Sequence, residues 1–193
     1  MLSQIRPALV STLLFTLALG LGYPLAVTAI SQVAFPWQAN GSLVRDAAGH
    51  VIGSALICQP FAGDAYLHPR PSAAGNGYDP TASGGSNYGP LSADLARRVT
   101  KDAAAIRASD GAADLPDDAV TTSGSGLDPD ISPAYAYDQA ARIARARGVR
   151  VEDVNRILSD HVEGSFLGFI GQPHVNVLMT NRALDQAAPK GHA

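Results

Sequence analysis

Two glycine-rich stretches carry the residue types a phosphate site would need. One is "SGGSNYGP" (83–90) and the other is "TTSGSGLDPDISP" (121–133). A Walker-type loop needs a lysine after its glycines to neutralise the β- and γ-phosphates. Neither stretch has one, and Lys101 lies further along in a segment that reads as helix. A dinucleotide fingerprint needs strand, G-x-G-x-x-G and helix, and the spacing of Gly84, Gly85 and Gly89 does not fit it. The plainer reading is that these glycines serve close packing or positive φ.

Other chemistry is sparse. His50, His68, His161, His174 and His192 stand apart, with no i, i+4 pair and only Cys58 as a thiol. That pattern predicts no metal site. No serine sits in G-x-S-x-G, so no hydrolase elbow is spelled. Asp128-Pro129-Asp130 lacks the further oxygens of a calcium loop and reads as a turn feeding a helix cap at Ser132. Arg70, stiffened between Pro69 and Pro71, is placed to pair with a carboxylate. No nucleophile–base pair stands out, so the residues read as a non-catalytic module with no catalytic residue and no tightly bound cofactor.

The chain has 193 residues, 46% of them apolar and 16% charged, with a net charge of −3. Lys and Arg form no stripe, which excludes nucleic acid as a partner. Charge is absent from residue 7 through residue 44, and "ALVSTLLFTLALGLGYPLAVTAI" (8–30) is long enough to span a bilayer, which needs roughly 20 residues. It exceeds the apolar core of a cleaved signal, so it reads as a retained anchor in membrane lipid. Phe35 and Trp37 then belong at the far interface. Arg6 before the span predicts a cytoplasmic N-terminus (1–7), an interfacial linker (31–40), an exported soluble domain (41–187) and a disordered tail (188–193). Ala8, Thr12, Thr16, Gly20, Pro24 and Thr28 recur every four residues, a small and hydroxylated row suited to packing on other membrane helices. Pro24 is expected to kink or end the first half of the helix.

The expected fold is α+β: one N-terminal transmembrane helix, then a small mixed domain of short strands and about three helices. "SLVRDAAGHVIGSALICQ" reads as a hairpin turning at Ala-Ala-Gly. Residues 60–90 form a long irregular loop, expected to be ordered because it carries Phe61, Tyr66, Tyr78, Tyr88 and the His68-to-Pro71 run. Helices are predicted over 92–108, 132–148 and 149–164, a polar linker over 110–118, a strand over 119–126 running into the second glycine loop, and a strand over 175–179 followed by one helical turn.

With these elements in view, the chain resembles the C subunit of the bacterial Kdp-type potassium-transporting ATPase. The resemblance rests on "YPLAVTAISQVAFPWQANGSLV", "GSALICQPF", "HPRPSAAG", "ASGGSN", "TTSGSGLDPDISP", "ARIARARG" and "GFIGQPHVNVLMTNRALD", in this order. It departs from the family's usual pattern at Cys58 and Pro69, where Gly is common, and at Asp130. The resemblance implies a single-span protein of the bacterial inner membrane. Its implied partners are a potassium-binding channel-like subunit, an ATP-hydrolysing P-type subunit and a small fourth subunit, with ATP and potassium handled by the complex. It implies an accessory role, described in the family as a catalytic chaperone that raises the pump subunit's nucleotide affinity. The nucleotide loop would be Ser83, Gly84, Gly85, Ser86 and Asn87, which share Ser-Gly-Gly with the signature loop of transport ATPases. Loop and partner contacts would be Gln59, Phe61, His68, Arg70, Ser72, Ser123, Gly124 and Asp128. A domain outside the membrane meets no cytoplasmic ATP, so topology and the nucleotide loop point opposite ways. An independent membrane-anchored enzyme or nucleotide-binding domain is the alternative.

Overall fold

The computed structural model describes residues 2–187; the predicted tail at 188–193 lies outside the described residues. The chain divides into two units, residues 1–52 and 53–193.

The first unit is dominated by a 30-residue apolar helix, Ile5–Ala34. At 1.5 Å per residue it is about 45 Å long, more than a bilayer's hydrocarbon core requires. None of its most apolar stretch is buried within the chain. Helix α1 (Ile5–Leu17) passes through a π turn (Ala18–Gly22) into α2 (Tyr23–Ala34). As expected of Pro24, the first α-helical half ends ahead of it, at the π turn, and Pro24 stands in the first turn of α2. A proline inside an α-helix clashes with the carbonyl four residues back. Here the Tyr23 amide bonds to Ala18 O, five back, and this wider turn lets the helix run on through Pro24. A spacing of four drifts by about 40° per step around an α-helix, and the π turn takes part of that drift back between Gly20 and Pro24. A further turn, α3 (Pro36–Ala39), follows, so residues 31–39 are mostly helical where the sequence predicts a linker. Strands β1 (Leu43–Arg45) and β2 (Val51–Ser54) pair as the predicted hairpin. The Asp46 carboxylate accepts from the amides of Ala48 and His50 and fixes its turn.

The second unit is a mixed helical and stranded domain, so the chain is α+β with one N-terminal apolar helix. The described elements are α4 (Ala93–Asp110), α5 (Asp117–Val120), β3 (Asp130–Ile131), α6 (Pro133–Asp138), α7 (Ala140–Arg147), α8 (Val151–Asp160), β4 (Val162–Glu163), β5 (His174–Asn176) and α9 (Val177–Ala187). The three predicted helices correspond to α4, the α6–α7 pair and α8; α9 joins them. Antiparallel β5 is the central strand, with Val175 opposite Ile131 on one side and Val162 on the other. Ile143, Val154, Leu158, Val175 and Leu184 are fully buried around it and form the core with Leu67 from the long loop.

Four predictions need correction. Residues 117–120 are helical, so no strand runs into the second glycine loop. The predicted helix over 132–148 divides at Gln139, whose buried amide is used elsewhere. The strand predicted over 175–179 stops at Asn176, whose Oδ1 accepts from the Met179 amide and opens α9. The linker predicted over 110–118 starts with a buried carboxylate: Asp110 Oδ1 lies 2.5 Å from Arg142 Nε, both side chains 3% exposed.

Candidate functional site

The irregular loop at 60–90 is held by side chains that take the place of a neighbouring strand. Asn181 accepts from the Leu67 amide at 2.7 Å and donates to Leu67 O at 2.9 Å. Gln139 does the same for His68, at 2.8 and 3.1 Å. Buried Arg142 donates to the carbonyls of Asp64 and Tyr66. Buried Arg147 donates to those of Ala65 and Leu184 and pairs with Asp185. Buried backbone groups are costly if unpaired, and these four side chains let a segment without regular structure enter the core. The loop is ordered as predicted.

The same loop carries the predicted site residues to the second glycine loop. Arg70 Nη1 lies 2.9 Å from Asp128 Oδ2, the carboxylate pairing expected for it, and its Nε and Nη2 reach Thr121 O and Oγ1. Ser72 Oγ donates to Gly126 O at 2.6 Å and accepts from the amides of Ala74 and Tyr78. Ser83 Oγ and the Gly84 amide both donate to Ser125 O, at 2.9 and 2.8 Å. Thr122 Oγ1 donates to Ser86 Oγ at 3.3 Å. A Cβ on Gly85 would lie 3.3 Å from Gly124 O, and Ser123 contacts Ser125. The two glycine stretches are thus laid against each other.

The glycine that this arrangement requires is Gly126. Its φ is +66°, and a Cβ there would lie 2.6 Å from Gly84 O and 2.7 Å from the Ala74 amide nitrogen. Gly84 has open space around its missing Cβ, and neither Gly84 nor Gly85 has positive φ; in this loop Asn87 does, at +52°. Of the two roles expected for the paired glycines, close packing or positive φ, Gly85 shows close packing against Gly124, and Gly84 shows neither. The loop at 83–87 opens no helix directly, because α4 begins at Ala93 with Ser92 Oγ as its cap. The helix N-terminus that would favour a phosphate is not adjacent to it.

The remaining predicted residues are dispersed around this seam. Gln59 packs where Gly53 lacks a side chain. The Cys58 amide bonds Leu127 O, and the thiol is 4% exposed and pushed up to about 12, first by burial and then by Asp128. Cys58 has no positive φ, so the departure from Gly strains nothing there. Phe61 tilts against Tyr66 at 5.5 Å. His68 Nε2 contacts Gly63 O at 2.9 Å, and burial, then Arg142, hold its imidazole below the usual range.

Beside the seam lies an open cleft of about 380 Å³. Arg70, Asp118, Asp130, Ser132, Gln172 and His174 are among the residues that line it. Asp118 accepts from the amide and hydroxyl of Ser132, which in turn caps α6. Asp130 accepts from Asn176, and burial raises its carboxyl above the usual range. Carboxylates outnumber the one guanidinium, so the cleft favours cations over phosphates. Asp118 and Gln172 were not singled out from sequence, and His174 was read there only as an isolated histidine. They meet only because α5 and β5 flank β3, and no spacing signal marks them.

Residues 5–186 match the family model described as "K+-transporting ATPase, c chain". A potassium-transporting ATPase KdpC subunit from Caulobacter sp. (strain K31) is 60% identical over 189 residues, covering 98% of this chain and 96% of the relative. The one from Caulobacter vibrioides (strain NA1000 / CB15N) is 62% identical with the same coverage. That of Rhodopseudomonas palustris (strain ATCC BAA-98 / CGA009) is 49% identical over 202 residues, covering 98% and 100%. On a match that runs from the apolar helix to the last described turn of α9, the chain belongs to the KdpC family, the c chain of K+-transporting ATPases.

Proposed function

We propose that the chain is a non-catalytic, membrane-anchored accessory subunit of an ATP-driven potassium uptake complex, with its soluble domain outside the cytoplasm. Its partners are the potassium-binding subunit, the ATP-hydrolysing subunit and the small fourth subunit of that complex. ATP and potassium are handled by those partners. The observation that carries this reading is the seam between the two glycine stretches. Ser83, Gly84, Ser86 and Gly126 direct their hydrogen bonds and close contacts at the facing loop. The apolar helix at Ile5–Ala34, unburied along its most apolar stretch, supports the anchor and a row of helix-packing positions from Ala8 to Thr28.

The complex purified with and without this chain tests the assignment. Potassium-stimulated ATPase activity is expected to require the chain, and the chain alone is expected to turn over no ATP. Turnover by the chain free of pump subunit would overturn the reading. Orientation is tested with a membrane-impermeant thiol reagent on Ala187→Cys in a Cys58→Ser background. Labelling of intact spheroplasts is expected; protection until lysis would place the domain inside. ATP titration then separates the family's nucleotide loop from a structural one. Saturable binding lost in Ser83→Ala/Ser86→Ala, with the melting temperature unchanged, would restore the nucleotide role.

A further inference from the structure

The connection between β4 and β5 leaves the domain as an uncharged apolar tip. Phe166, Leu167, Phe169 and Ile170 are 69, 70, 77 and 50% exposed. No charged residue occurs from 164 through 173. Scattered exposed apolar residues are ordinary, but four large ones on one tight turn form a contiguous patch. With aromatic side chains offering about 150–250 Å² each, the tip exposes roughly 500 Å² of apolar surface.

The tip's backbone is also partly paired within the turn. Phe166 and Ile170 exchange both amide–carbonyl hydrogen bonds, at 2.8 and 2.9 Å. The Gly168 amide donates to Ser165 O and the Phe169 amide to Phe166 O. Ser165 Oγ donates to Gly171 O at 3.0 Å. Leu167 takes positive φ and Gly168 follows at +80°, which closes the turn on itself. Unpaired backbone groups are what keep irregular loops out of hydrocarbon, and these bonds satisfy the amides of Phe166, Gly168, Phe169 and Ile170 within the turn.

We propose that the 165–171 tip inserts into the headgroup–acyl boundary of the lipid bilayer, as a second membrane contact of the chain. Two observations favour lipid over a protein partner. The area is well short of the roughly 800 Å² per side that a standard protein interface buries, whereas interfacial insertion scales with whatever apolar area is offered. The apolar helix, in turn, holds the domain near a bilayer, so contact by the tip is an intramolecular event at high effective concentration. The inference rests on the anchor reading above.

The test places a nitroxide on Phe169→Cys in the full chain. The labels are placed in the same Cys58→Ser background as above. Reference labels go on Leu13→Cys in the apolar helix and Asp160→Cys at the solvent-exposed end of α8. The chain is reconstituted alone, and with its complex, in phosphatidylethanolamine/phosphatidylglycerol vesicles. The ratio of oxygen to nickel-chelate accessibility is then read. At position 169 it is expected to exceed that at 160 several-fold in both preparations, and Phe166→Ser is expected to lower it. A ratio at 169 equal to that at 160, with position 13 in lipid, would overturn the tip and leave the anchor standing. Protection of 169 from both reagents in the complex would show a protein partner and overturn it too. Water access at 13 would remove the anchor and the inference together.

Discussion

Gly126→Ala is the substitution that most directly probes how the two glycine stretches meet. At φ +66° the new side chain occupies the left-handed region, which costs about 1–2 kcal/mol for a residue with a Cβ. The Cβ also falls 2.6 Å from Gly84 O and 2.7 Å from the Ala74 amide, and both are backbone atoms that no rotamer change can move aside. Forced overpacking adds about 1–3 kcal/mol. The expected loss is roughly 2–5 kcal/mol, a drop in melting temperature of about 5–15 °C at the sensitivity usual for domains near this size. Gly84→Ala is the control, with no positive φ and nothing within 4 Å of the added methyl. It should stay within about 0.5 kcal/mol of the parent, as most unencumbered surface changes do. The assay is thermal unfolding of the full chain in detergent, followed by circular dichroism. A Gly126→Ala protein that melts with the parent, or a Gly84→Ala protein that falls equally far, would refute the interlocked-loop arrangement.

Arg142→Met should cost about 3–5 kcal/mol, because it leaves the Asp110 carboxylate buried without its partner. Urea midpoints check this, and a loss below about 1 kcal/mol would mean the pair is solvated. Burial raises the Asp130 carboxyl above its ordinary 3.8, so the folded state holds this proton more tightly than the unfolded chain. The Asp130 contribution is therefore fully present below 3.8 and declines as pH rises through the folded value. Asp130→Asn should remove that decline, seen as a smaller difference in urea midpoint between acidic and neutral pH than in the parent; an equal difference would argue against it.

Features set by neighbours along the chain were legible in the sequence. The membrane-length helix follows from an uncharged apolar run, and its backbone bonds are local. Ser92 and Ser132 cap helices as their positions predict, and Gly148 ends α7 at φ +68°. Where local preference and long-range contact disagreed, the tertiary structure decided. The Val-rich run after His174 reads as a strand, yet Asn176 turns it into α9 by capping Met179. Gln139 reads as mid-helix, yet its amide is committed to the backbone of His68, 71 residues away. Asp110 reads as linker until Arg142 arrives beside it. The glycine stretches show why two such motifs cannot be interpreted separately. Each alone has the composition of a phosphate loop, but Gly126 is required by Gly84 O and Ala74, and Ser83 is satisfied by Ser125. Composition specified that these backbones can approach closely; only the folding of the 60–90 loop onto the β3–β5 core determined that they approach each other.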